Sequence, residues 1–158
     1  MKERFMIKCA VFLILTKIEN NKEYILLQRR YNTGILDGQY DVSSSGHLEN
    51  GETLKESIIR ETKEEIGIDI NTKDLNYVCT MHANFKDGEY LLVAFSTRKY
   101  KGIPKIMEIN KCDALSWFDI NNLPSNLIDT RKMKNKFFIR KPYGFHFFCI
   151  FIYNYYER

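Results

Sequence analysis

At 158 residues, with 44% hydrophobic and 28% charged side chains, the chain has the size and balance of one globular domain, 1–158, with a substantial core. Its net charge of +4 is spread along the sequence, which suits a small anionic ligand and excludes the concentrated basic stripe of a protein that grips a nucleic-acid polymer. No run of 18 apolar residues argues for a membrane span. Four scattered cysteines (Cys9, Cys79, Cys112 and Cys149) form no CxxC pair, and no secretory leader is evident, so reduced thiols in a cytoplasmic protein are expected rather than a zinc site.

Taken in chain order, residues 5–16 read as a buried strand, and 8–18 and 23–28 as two strands rich in β-branched and aliphatic side chains. The break Glu19-Asn20-Asn21-Lys22 makes them a hairpin. Residues 29–38 read as a polar loop ending in the turn signal Asp37-Gly38. Tyr40-Asp41-Val42 is a short strand, and Ser43-Ser44-Ser45-Gly46 a small-residue loop. A helix follows, opened by the capping box of Thr53 and Glu56 and closed at Gly67, with Leu54, Ile58, Thr62 and Ile66 as its core-facing stripe. Residues 75–83 and 89–98 are strand-like and joined through Lys86-Asp87-Gly88. Another strand is expected over 114–119, a turn at Leu123-Pro124, and helical character over 127–139. The apolar tail, 145–156, reads as a last strand or a segment packed on the core, with a homodimer contact as the alternative.

The helix carries the chemistry. Glu61, Glu64 and Glu65 stand at i, i+3 and i+4 and therefore share a face, where like charges repel. A hard divalent cation relieves that repulsion, because magnesium prefers carboxylate oxygens. Three acids poised for such an ion point to phosphate chemistry. The spacing G-x5-E-x7-R-E-U-x-E-E-x-G-U, with U a bulky apolar residue, is filled by Gly46, Glu52, Arg60, Glu61, Glu64, Glu65, Gly67 and Ile68, with Thr62 in a position reserved for an aliphatic. This stretch resembles the Nudix box of the Nudix hydrolases.

That resemblance implies an α/β fold, an α/β/α sandwich around a mixed β-sheet. It also implies hydrolysis of a pyrophosphate bond in a nucleotide, or in a nucleoside diphosphate linked to another moiety. Magnesium is the implied cofactor, with manganese as the alternative. Metal ligands by resemblance are Glu61, Glu65, Glu64 and the Gly46 carbonyl, and Glu64 also stands as the residue that orients or deprotonates water. Glu108 is the distal candidate for that base. Arg60 and Glu52 are expected to brace the loop that presents the ligands. Arg29 and Arg30, at the end of a strand, are candidates for meeting substrate phosphate, and Tyr31 and Phe85 for stacking on a base. Lys111-Cys112-Asp113 followed by Trp117-Phe118 resembles a bacterial subgroup without an assigned substrate. Two other readings stay open: a silent nucleotide-binding sensor, and chemistry like that of isopentenyl diphosphate isomerase, although this chain offers serines where the isomerase needs a cysteine.

Overall fold

A computed structural model of the chain describes residues 5–85, 87–128 and 150–154. The elements are β1 (Lys8–Glu19), β2 (Lys22–Arg30), β3 (Tyr40–Val42), β4 (Ser44–His47), α1 (Leu54–Ile66), a single helical turn (Thr72–Asp74), β5 (Asn76–Phe85), β6 (Gly88–Thr97), β7 (Cys112–Asp119) and β8 (Ile150–Asn154). They build one mixed sheet in the order β3-β2-β1-β6-β5-β8, with β4 on β1 and β7 on β2. β1 runs parallel to β6 and β5 parallel to β8, while the other pairings are antiparallel.

β1 is the axis of the molecule. Val11 through Leu15 are all buried, the continuous apolar run of a strand covered on both faces. Val11, Leu13 and Leu15 point to the face that receives Ile58 and Ile66 of α1, while Phe12 and Ile14 join Leu27, Met81, Leu92 and their neighbours on the opposite face. The β1–β2 turn places Asn20 at φ 50° and Asn21 at φ 60°, the pair of left-handed residues that matches strand twist in a two-residue hairpin. Asparagine adopts that conformation at lower cost than most side chains.

Several expectations change. Phe5 and Met6 lie exposed ahead of the first strand, which begins at Lys8. The serine-rich segment before the helix is a strand, pairing Ala10 with His47 and Leu13 with Ser44. Its cohesion comes from backbone hydrogen bonds rather than from strand-forming side chains, so composition hides it. Leu127, expected to open a helix, instead bridges Tyr40, and Ile128 N–H donates to the Tyr40 carbonyl at 2.9 Å. The remainder of that expected helix and most of the tail lie outside the described residues, except that 150–154 forms the expected last strand. Among the described residues, α1 is the one α-helix, and no helix is long and apolar enough to cross a membrane.

Candidate active site

α1 begins and ends where its sequence signals fall. The Thr53 hydroxyl accepts the Glu56 N–H, and the Glu56 carboxylate accepts the Thr53 N–H at 2.8 Å. Gly67 closes the helix at φ 73°, and its N–H donates to the Lys63 carbonyl. Thr62, the departure from the apolar pattern, is fully buried and donates its hydroxyl to the Ile58 carbonyl at 2.6 Å. That bond satisfies the one polar atom the substitution adds, so the stripe still packs.

The three acids of the helix meet different surroundings. Glu65 turns onto β4, where its carboxylate accepts the Ser45 N–H at 2.9 Å. Removal from water dominates its titration and pushes its pKa up to about 7, against the pull of Ser45 and with the help of negative charge at Glu61 and Glu108. The fully buried Ser44 hydroxyl lies beside Glu65 and favours its charged form. Glu61 lies directly over Gly46. A Cβ at Gly46 would stand 1.9 Å from the Glu61 carboxyl carbon, so only a bare backbone fits beneath that acid. Burial also raises the Glu61 pKa, opposed chiefly by its bond to Arg60. Glu64 is the outlying member, with its side chain 54% exposed.

Arg60 ties the group together. Its Nε and Nη2 donate to the two oxygens of Glu52 at 2.7 and 3.1 Å. Nη1 reaches Glu61 at 2.8 Å and Glu64 at 3.1 Å, and Nη2 also donates to the His47 carbonyl at 3.1 Å. The guanidinium thereby fastens the loop after β4 to the helix and holds Glu52 below the usual carboxylate range. Its own pKa rises further, chiefly through Glu52.

The distal acid arrives from the segment before β7. Lys105 N–H donates to the Ile66 carbonyl at 3.1 Å and Met107 N–H to the Glu65 carbonyl at 3.0 Å, which clips this segment onto the end of α1. Met107 sulfur packs on Gly67, close enough that a Cβ there would meet it at 3.2 Å. Glu108 follows, its charge acting on both Glu61 and Glu65, and accepts the Lys111 ammonium at 2.9 Å. The two arginines nominated for phosphate have protein partners. Arg29 grips Asp113 with Nε at 2.7 Å and Nη2 at 2.9 Å. Arg30 donates to the Ile35 carbonyl at 2.8 Å and the Thr33 hydroxyl at 3.0 Å, bracing the loop after β2. Phe85 packs edge-on against Tyr90, whereas Tyr31 is half exposed. Lys111, which sequence reasoning passed over as a candidate, lies beside the acids; its spacing of three from Glu108 was the available signal.

These residues fit a hard divalent cation by donor chemistry: carboxylate oxygens of Glu61 and Glu65 and a backbone without a Cβ at Gly46. Among the described residues, no three His, Cys, Asp or Glu side chains already converge as a metal cage, and Arg60 engages Glu61 and Glu64.

A family model for the NUDIX domain matches residues 8–140. A NAD-capped RNA hydrolase, NudC, of Vibrio atlanticus is 31% identical over 112 residues, 70% of this chain and 38% of that protein. An ADP-ribose pyrophosphatase of Methanocaldococcus jannaschii is 29% identical over 116 residues, 73% of this chain and 66% of its own length. The chain thus spans between about a third and two thirds of the curated relatives it matches. In fold it is similar to a MutT NUDIX hydrolase from Burkholderia pseudomallei, with a TM-score of 0.68 at 18% identity over 81% of this chain and 95% of that one. With this match and the helix, strand and acid placement above, the chain belongs to the NUDIX domain family.

Proposed function

We propose that this protein hydrolyses a pyrophosphate bond in a nucleoside diphosphate joined to a second moiety, in a reaction that depends on magnesium or manganese. The observation that carries this reading is the placement of two partly buried acids on β4, Glu61 over the Cβ-free Gly46 and Glu65 on the Ser45 N–H. Arg60 offsets the charge of Glu61, whereas Glu65 is withdrawn from water beside it without a cationic side chain bonded to it, so the pair leaves room for further positive charge. Glu61 and Glu65 would hold the ion, with the Gly46 carbonyl and Glu64 completing the set. When bound, a divalent ion supplies Lewis-acid polarisation of phosphoryl oxygen and charge neutralisation.

The chain's own residues supply position and proton handling. Glu65, whose pKa burial pushes up to about 7, would give up its proton on holding the ion. Glu64 faces solvent and is the acid best placed to receive a proton from attacking water, with Glu108 as the second candidate. Glu52 and Arg60 keep the β4–α1 loop in register. ADP-ribose and NAD, the compounds in the names of two relatives, each contain a pyrophosphate bridge and are the first substrates to try.

The test is a panel of nucleoside triphosphates, ADP-ribose, NAD and nucleotide sugars with magnesium, read by release of nucleoside monophosphate and phosphate. Turnover of at least one member is expected, with Glu61→Gln reducing it by about two orders of magnitude or more while leaving the fold intact. A wild-type protein that cleaves nothing, or that matches Glu61→Gln, refutes the reading.

A further inference from the structure

We propose that Lys111 is the side chain that binds the substrate's diphosphate, in place of the strand-end arginines Arg29 and Arg30. The proposal rests on the pyrophosphohydrolase reading above.

A polyanion approaching Glu61, Glu64, Glu65 and Glu108 needs compensating positive charge from the protein as well as from the metal. Three arginines stand nearby in sequence or space, and each is held by two or more side-chain hydrogen bonds to the protein. Arg29 closes a two-pronged pair on Asp113, and Arg30 holds the loop at Thr33 and Ile35. Arg60 distributes its donors over Glu52, Glu61, Glu64 and the His47 carbonyl.

Lys111 differs in being held by a single side-chain bond and in standing further out into solvent. Its ammonium has three donors, and one is used, on Glu108 at 2.9 Å. Its side chain is 64% exposed. The backbone that presents it is fixed from three sides: Lys111 N–H donates to the Glu108 carbonyl at 3.0 Å, Tyr31 N–H donates to the Lys111 carbonyl at 2.9 Å, and Met107 ties the preceding residues to Glu65. A mobile ammonium on a fixed stalk, next to the acids, can turn from Glu108 to a phosphate oxygen without disturbing a structural bond. Its pKa is raised chiefly by Glu108, and negative charge at Glu65 and Glu61 contributes, which places it within electrostatic reach of the acids assigned to the metal. When it turns to phosphate it releases the Glu108 carboxylate.

The experiment uses the full chain and four variants: Lys111→Met, Lys111→Arg, Glu108→Gln and, as a control for net charge alone, the exposed Lys22→Met. ADP binding in magnesium is measured by calorimetry, and KM and kcat are measured with ADP-ribose. Lys111→Met is expected to weaken ADP binding and raise KM by about ten- to a hundredfold, the range for losing a charged hydrogen bond. A smaller fall in kcat, near-wild-type binding by Lys111→Arg and no change in Lys22→Met complete the expected result. Unchanged ADP binding by Lys111→Met overturns the proposal. So does an equal weakening by Glu108→Gln, because Lys111 would then act only by holding Glu108. A wild-type chain that neither binds ADP nor cleaves ADP-ribose or any other member of the panel refutes the pyrophosphohydrolase reading itself, and this proposal with it.

Discussion

Replacing Glu65 by glutamine separates what the acid does for function from what it does to the fold. Burial raises the pKa of Glu65 from its ordinary 4.5 to about 7. Between those two values the folded chain binds more protons than the unfolded chain, so stability falls as pH rises through that window and stays low above it. A shift of that size corresponds to about 3 kcal/mol of destabilisation once the carboxylate is fully charged. Glutamine removes the charge while keeping an oxygen for the Ser45 N–H, and its amide N–H2 group gives back part of the gain because it needs an acceptor. In chelator-treated protein at pH 8, Glu65→Gln should therefore be more stable than wild type by about 1–3 kcal/mol, or about 2–10 °C in Tm. The advantage should vanish by pH 4.5 and narrow when magnesium is added, since the ion stabilises only the wild-type site. Urea denaturation at several pH values, with and without chelator, reads all of this. A variant less stable than wild type at pH 8, or a gain that does not change with pH, refutes the argument that desolvation governs this acid.

Three further outcomes follow from the geometry. Gly46→Ala drives a methyl group to within 1.9 Å of the Glu61 carboxyl carbon; it should displace that acid and weaken metal affinity, measured by manganese titration, by about tenfold or more. Arg60→Met leaves Glu52, Glu61 and Glu64 without their shared cation and should lower Tm more than Arg60→Lys, which keeps the charge but loses the two-pronged grip on Glu52; equal Tm values for the two would deny that grip a role. Leu36 sits at φ 55° with its side chain exposed, so Leu36→Asn should stabilise the chain by about 0.5–1 kcal/mol in a denaturant titration, and a loss of stability would show that Leu36 packs against something.

The helix was readable in the sequence because its signals are local. Thr53 and Glu56 recognise each other three residues apart, Gly67 supplies a left-handed stop, and Ile58, Thr62 and Ile66 repeat at the helical period. The Asn20-Asn21 turn was readable for the same reason. What stayed hidden depends on distant partners. Nothing near Arg29 announces Asp113, 84 residues away, so the arginine read as a free cation. β4 looked like a loop because Ser44, Ser45 and Gly46 carry no strand-forming side chain, and only the edge of β1 makes them a strand. The three acids read as one group from their spacing, but their directions are set by β4 and by Arg60: Glu65 goes inward, Glu61 lies over glycine and Glu64 stays outside. Glu108 was nominated from sequence without any sign of its neighbours, and its nearness to Glu61 and Glu65 comes from the segment that Met107 anchors to the helix end.

Arg60 lends the acidic turn a resident counter-ion. Because its guanidinium already offsets Glu61 and Glu64, these acids have a counter-charge whether or not metal is at hand. An incoming ion must then win oxygens away from an incumbent, so its apparent affinity reports a contest and not simple capture. Weakening the incumbent would tighten the grip on metal while loosening the scaffold that presents it.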